Sequence, residues 1–288
     1  MMVAYIAYKR LTPAVRARVD DLLMRNPSYR AWEQTIPATV SGREKRRRLF
    51  MLAATWPDQI KWHGSGYTDD GSDHGSLPDG AGSGQNTGYG DRLRHRYWHF
   101  VYKPFTRDGS PLPAIPTPNA EERIRLFRHV LASTTESDDL KSYDLVWLLH
   151  LVGDVHQPLH AATRVSAMQP KGDQSGNLVR LCPAPRKDTL RPFWNTIPGP
   201  ETSVTAAENS AKTLAAASAA EAAVLDEAMW VQESFDLART RVYTPPIGEG
   251  AGPFAVTPAY RASARSVART QIALAGARLA NVLNAELK

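Results

Sequence analysis

The chain has 288 residues, a formal net charge of +6 and a single cysteine. That length can fill one large domain or two modest ones around a proper core, and no run of about 18 uncharged apolar residues is present to span a membrane as a helix. Cys182 stands alone, which excludes an internal disulfide and any multi-thiolate metal site. The positive balance suits an anionic partner such as nucleic acid, though many proteins that bind none carry as much.

The opening stretch Met1-Met2-Val3-Ala4-Tyr5-Ile6-Ala7-Tyr8 lacks the basic start, long apolar centre and small-residue cleavage site of a signal peptide. It reads as the interior of a helix with no capping residue ahead of it, so an upstream segment is expected. Thr12 then caps a second helix, Ala14 to Leu23, with Pro13 in its first turn. A third helix, Ser41 to Ala54, carries Arg43, Lys45, Arg46, Arg47 and Arg48. A solvated basic face is expected there, with nucleic-acid contact as the alternative. Trp56-Pro57-Asp58 follows and sets Asp58 on a turn, either as an ordinary helix cap or aimed inward at a site.

Gly64 to Asp91 is rich in Gly, Asp and Ser and reads as a long mobile loop. Asp69, Asp70 and Asp73 lack the EF-hand spacing and its terminal Glu, so they read as solvated, and so do His63, His74 and His95. In Arg96-Tyr97-Trp98-His99-Phe100-Val101-Tyr102, His99 is flanked by large apolar side chains and needs a buried partner, a metal being one candidate. Pro104 to Pro118 is a proline-rich connector, and helices follow from Ala120 to Ser133 and from Asp138 to Gln157. The turn-rich Lys171 to Asn177 leads into the apolar Leu178 to Leu181 as a small hairpin. Phe193-Trp194 falls in another proline-containing loop. An Ala-rich helical stretch from Thr202 to Arg241, a loop with Pro245 and Pro246, and an amphipathic helix from Thr257 to Leu287 close the chain. With no repeat and no linker between two cores, residues 1–288 read as a single domain.

The chemistry concentrates in Leu148-Leu149-His150-Leu151-Val152-Gly153-Asp154-Val155-His156-Gln157-Pro158-Leu159-His160. His150 and Asp154 fall at i and i+4, on one helix face, and offer a cation an imidazole and a carboxylate together. Pro158 breaks the helix, so His160 lies on or past the kink and can reach back to the same cluster. His156 points away from that face at roughly 100° per residue and is expected to be a hydrogen-bonded structural histidine. The alternative for the whole run is a buried helix with satisfied core histidines.

Taken together, these residues resemble the single-strand-specific, trinuclear-zinc nucleases, relatives of the zinc-dependent phospholipases C. The signature His150-x3-Asp154-x-His156-Gln157-Pro158-Leu159-His160 carries the resemblance. Trp56-x-Asp58-x2-Lys61, Trp98-His99-Phe100, Ser175-Gly176-Asn177 and the closing Gln271-x2-Leu274-Ala275-Gly276-x-Arg278 support it over nearly the whole chain. The resemblance implies an all-α single-domain helical bundle with long loops, holding zinc at the bottom of a cleft. It implies a first zinc ion (Zn2+) on Asp58, His99, His150 and Asp154. It places a second on Asp154 and residues upstream of Met1, and a third on His160 and a Leu-His-x-x-Trp-Asp segment.

Here that last segment reads Leu190-Arg191-Pro192-Phe193-Trp194-Asn195, so two expected ligands are replaced. Arg191 stays protonated and has no lone pair to offer, and its charge about 4 Å from a dication costs about 8 kcal/mol at an effective dielectric near 20. The third site is therefore expected to be empty. The expectation is a monomeric zinc-dependent endonuclease that cuts single-stranded DNA or RNA to 5'-phosphorylated products. Asp58, Lys61, Asp154 and Arg191 would do the chemistry, with Lys61 and Arg191 holding the phosphate. Phe100, Tyr102 and Asn195 would meet the substrate, with a base stacked on Phe100. Two alternatives stand beside it: a catalytically impaired, metal-stabilised binding protein, and a phospholipase C- or phosphatase-like hydrolase on the same scaffold. A periplasmic or secreted location is expected if an upstream signal peptide exists.

Overall fold

A computed structural model describes residues 1–71, 85–182, 189–199 and 203–287. The first four helices are α1 (Met2–Arg10), α2 (Pro13–Leu23), α3 (Tyr29–Thr35) and α4 (Gly42–Ala53), followed by the single turn α5 (Trp56–Gln59). Thr12 caps α2 as its sequence predicts, its hydroxyl accepting the Val15 amide at 3.3 Å. Two short helices that the sequence reading did not resolve are α3, which lies between Pro27 and Pro37, and α5, which carries Pro57 in its first turn. The basic face of α4 is largely neutralised. Lys45 reaches Glu33, Arg46 reaches Asp20, Arg47 reaches Glu208 and Arg48 reaches Glu44, each within 3.2 Å.

The middle of the chain supplies α6 (Ala120–Ala132), capped by Asn119, and α7 (Asp138–Val155), capped by Ser137. Past a 3-10 turn at Pro158–His160, α8 (Leu190–Thr196) leads to α9 (Val204–Lys212), α10 (Ala219–Ala222), α11 (Glu227–Leu237) and the long α12 (Pro258–Glu286). The fold is all-α. Its strands are minor: β1 (Pro104–Thr106) pairs in parallel with β2 (Thr163–Val165), and β3 (Leu181–Cys182) pairs in parallel with β4 (Phe254–Ala255).

Four sequence expectations are corrected. The apolar run ending at Leu181 forms no two-stranded hairpin among the described residues: Leu181 pairs in parallel with distant Phe254, and Arg180 makes only an isolated antiparallel bridge to Thr189. Phe193 and Trp194 lie in α8 rather than in a loop. The Ala-rich stretch is three helices, and it breaks where Ser218 and Asp226 cap new starts. The Gly/Asp-rich loop, read as mobile, is pinned at its described ends, where Asp69 binds Arg94 and Arg96, and Asp70 binds His95. Asp73 and His74 lie outside the described residues.

α7 sits at the centre, with α2, α5, α6, α11 and α12 packed around it. Leu145, Val146, Trp147, Leu148, Leu151 and Val152 are all fully buried, each worth roughly 1.5–3 kcal/mol of apolar transfer. A helix surrounded this way needs apolar residues on every side, which is why its sequence lacks a clear polar stripe. The other close approach is α1 against α12. Gly276 makes it possible: a methyl group there would stand 2.6 Å from Ile6 Cβ and 3.0 Å from the Val3 carbonyl oxygen. That contact seats α1 so that Met1, Met2 and Val3 form one wall of a cavity.

Candidate metal centre

The cavity holds about 640 Å³, and its floor carries Asp58, His99, Asp154, His160 and Arg191. Each comes from a different local device. α7 presents His150 and Asp154 one turn apart, α5 presents Asp58 just after Pro57, and a 3-10 turn at Arg96–His99 presents His99. The turn begun by Pro158 presents His160, and α8 presents Arg191 and Asn195.

Four of these side chains converge. His150 Nδ1 donates to the Ala54 carbonyl at 2.8 Å, which settles a proton on that nitrogen and turns Nε2 toward the cavity. Nε2 then lies 3.0 Å from His99 Nδ1, 3.1 Å from Asp154 Oδ2 and 3.8 Å from Asp58 Oδ1. His99 Nδ1 is itself 2.8 Å from Asp154 Oδ2, and Asp58, His99 and His150 each offer a donor atom within 4.8 Å of the others. Donors on a tetrahedral zinc, with bonds near 2.0–2.1 Å, sit about 3.3 Å apart. The four separations just given, 2.8 to 3.8 Å, bracket that value. The opposite nitrogen of His99 is buried with no hydrogen-bond partner among the described residues, so nothing in the described protein competes to turn that ring.

The electrostatics agree with a cation in the middle. Burial, reinforced by the charge of Lys61, lowers the His99 pKa to about 3 and keeps the ring neutral, the form that ligates metals. Burial works against ionisation of Asp154, yet His150 above all holds it well below the ordinary carboxylate range. Asp58 is likewise lowered, burial being outweighed by His150 and Lys61, and Lys61 Nζ donates to its Oδ1 at 2.9 Å. Burial disfavours a charged His150, but Asp154 and Asp58 raise its pKa. Two carboxylates thus call for positive charge at the point where the ring nitrogens meet.

The remaining sequence-predicted residues are placed differently. His160, expected as a metal ligand, uses both nitrogens within the protein: Nδ1 donates to the His99 carbonyl at 3.0 Å, and Nε2 is 3.3 Å from Arg191 Nη2. In that pose it hands no lone pair to a cation. Burial and then Arg191 lower its pKa to about 4, in keeping with a neutral ring that accepts the guanidinium. Arg191 lies 4.0 Å over the Phe100 ring, a cation–π contact that covers the face expected to stack a base. Phe100 is only 4% exposed, which corrects the stacking expectation for that residue. Tyr102 packs against the Phe100 ring with centroids 5.4 Å apart and does not line the cavity. Asn195 does line it, and accepts a 2.7 Å hydrogen bond from Gln157.

Two histidines need separate notice. His156 is structural, as its helical angle predicts: Nδ1 donates to the Val152 carbonyl, and Nε2 receives Arg278, which also grips Glu233. His95 reverses its expectation. Far from solvated, it is fully buried, stacked 3.6 Å from Trp98, and clamped between Asp70 at 2.6 Å and Asp91 at 3.0 Å. Sequence reasoning also missed the cavity walls contributed by Met1–Val3 and by Gln271 and Ala275 of α12. The Gln271–Ala275 pattern was a visible signal, being part of the closing motif.

An all-α scaffold that gathers two imidazoles and two carboxylates on a cavity floor is an arrangement used by metal-dependent hydrolases. The S1/P1 Nuclease family model matches residues 1–288, and the chain belongs to that family. Its members are nucleases, metal-dependent hydrolases of phosphodiester bonds. A search of the curated proteins found no match. No described helix is long and apolar enough to cross a membrane.

Proposed function

We propose that this chain is a zinc-dependent endonuclease acting on single-stranded DNA or RNA and leaving 5'-phosphorylated ends. The observation that carries the proposal is the convergence of Asp58, His99, His150 and Asp154, with donor separations that fit one tetrahedral ion. Those four residues would hold zinc, which supplies Lewis-acid activation of water and charge stabilisation at phosphorus. Its place in the family supports phosphodiester hydrolysis as the reaction.

The chain's own residues divide the remaining work. Lys61, at 2.9 Å from Asp58, sets a cation beside the cluster. Arg191 is held by the Phe100 face and by His160 Nε2, so its fork is pre-positioned to receive non-bridging phosphate oxygens. His160 acts as a positioning residue for that guanidinium. Asn195 and Gln157 form a neutral polar rim that can accept or donate to the sugar–phosphate backbone. The reading takes residues 1–288 as one domain that works as a monomer.

The test is a side-by-side assay of zinc-loaded protein on a single-stranded oligonucleotide, its duplex and 4-nitrophenyl phosphorylcholine. Cleavage of the single strand above the duplex, abolished by a chelator and restored by zinc, is expected, with products that a phosphatase can dephosphorylate at the 5' end. Preferential hydrolysis of the phosphorylcholine ester would move the assignment to a phospholipase C-like activity. Binding of the oligonucleotide without cleavage would leave a metal-stabilised binding protein.

A further inference from the structure

The wall that α12 gives the cavity is apolar except at one position. Ala268, Gln271, Ile272 and Ala275 line it, at spacings that put all four on one helix face. Gln271 is only 9% exposed, and its Oε1 is buried with no hydrogen-bond partner among the described residues. Buried side-chain oxygens are nearly always paired, and leaving one unpaired is costly. On a face that an apolar side chain could fill, such an oxygen calls for a partner from outside the chain.

The contrast with Gln157, which lines the same cavity, is direct. Its Oε1 accepts from the Leu159 amide and its Nε2 donates to Asn195 Oδ1 at 2.7 Å, so its amide is used within the fold. The partner of Gln271 Oε1 must be a hydrogen-bond donor, because a carbonyl oxygen only accepts. It must also be uncharged. The neighbouring wall is formed by Met2, Val3, Ile272 and Ala275, and burying an unpaired ion against it costs far more than one hydrogen bond returns. A nucleobase meets both conditions, with flat faces that suit apolar side chains and a neutral N–H at its edge.

Resting on the nucleic-acid reading above, we propose that Gln271 is the base-reading residue of the cavity, its amide pairing with the polar edge of an unpaired nucleobase. An amide sets an acceptor beside a donor, and adenine answers with its 6-amino group beside a ring nitrogen, the pairing by which glutamine reads adenine in a DNA groove. In a duplex the Watson–Crick edge is taken by the complementary base, so reading that edge requires a single strand. Asp58, Lys61, Asp154 and Arg191 line the same cavity, whose volume of about 640 Å³ falls within the range of roughly 300–1,000 Å³ found for small-molecule sites. Phosphate and base can therefore share one space, with Gln271 setting selectivity rather than taking part in the chemistry.

The experiment uses zinc-loaded full-length protein and two fluorescent phosphorothioate oligonucleotides, with binding read by anisotropy. One strand carries adenine, and the other carries purine, which lacks only the 6-amino group. The parent protein should bind the adenine strand about tenfold more tightly. Gln271→Met keeps the length of the side chain and removes its hydrogen-bonding atoms, so it should bind the two strands equally. It should also unfold in urea at no lower concentration than the parent, because the oxygen it removes bonds nothing within the described fold. Equal binding of both strands by the parent, or a preference that survives in Gln271→Met, would overturn the proposal. So would a large loss of stability in Gln271→Met, which would show that the amide holds the fold. A parent protein that binds neither strand would overturn the nucleic-acid reading itself, a result distinct from loss of base selectivity.

Discussion

His95 offers a prediction that reaches from one buried charge to the stability of the fold. Its ring lies between Asp70 and Asp91, with Tyr97 donating to Asp70 at 2.7 Å and Tyr143 to Asp91 at 3.3 Å. Burial alone would lower its pKa, but the two carboxylates outweigh burial and raise it above the ordinary value of 6.5. Charged His95 is therefore what the fold stabilises. That stabilisation is fully present below about pH 6.5 and is lost as pH rises through the raised folded-state value. His95 also adopts φ +44°, so His95→Asn, which tolerates left-handed backbone, removes the charge with least strain. Breaking a buried pair costs about 3–5 kcal/mol, and the tyrosine donors left on both carboxylates place this case near 3. Urea unfolding should show that gap at pH 6.0, and thermal unfolding a fall in Tm of roughly 5 °C, because a chain of 288 residues gains about 0.6 kcal/mol/K of entropy on unfolding. At pH 8.5 the gap should narrow, because the advantage of a charged His95 falls once pH passes the unfolded-state value near 6.5. A gap equal at both pH values, or wider at pH 8.5, would refute the argument.

Two further substitutions test the fold and the site. Gly276→Val should destabilise the protein by about 1–3 kcal/mol in the same unfolding assay, because its side chain collides with Ile6 Cβ and the Val3 carbonyl and pushes α1 from α12. A variant as stable as the parent would show that α1 shifts without cost. Arg191→Ala should lower kcat/KM on the oligonucleotide by roughly 10–100-fold, the value of a charge-assisted pair at about 1.5–3 kcal/mol, with partial recovery in Arg191→Lys. Unchanged kcat/KM would remove Arg191 from phosphate binding.

The sequence was most informative where one local rule decided the structure. The caps at Thr12, Asn119 and Ser137 and the proline after Gln157 are signals of this kind, and i, i+4 spacing places His150 beside Asp154. It was least informative where a residue's environment comes from distant chain. Asp91 and Trp98 lie within four residues of His95, but the other clamping carboxylate, Asp70, comes from 25 residues upstream, and without it a histidine beside a Gly-rich loop reads as solvated. The parallel pairing of Cys182 with Ala255 is equally invisible locally. At the site, residue types pointed to Phe100 as the stacking surface. That Arg191 lies on that ring is a feature of the folded chain alone.

The central claim is that Asp58, His99, His150 and Asp154 share one cation. Elemental analysis of purified protein after dialysis against trace zinc tests it most directly, with circular dichroism confirming that each variant is folded. The parent chain should hold zinc tightly, His150→Ala and Asp154→Asn should lose it, and Arg191→Ala should leave it in place. Metal-free parent protein at saturating zinc, or zinc content unchanged by His150→Ala and Asp154→Asn, would contradict it.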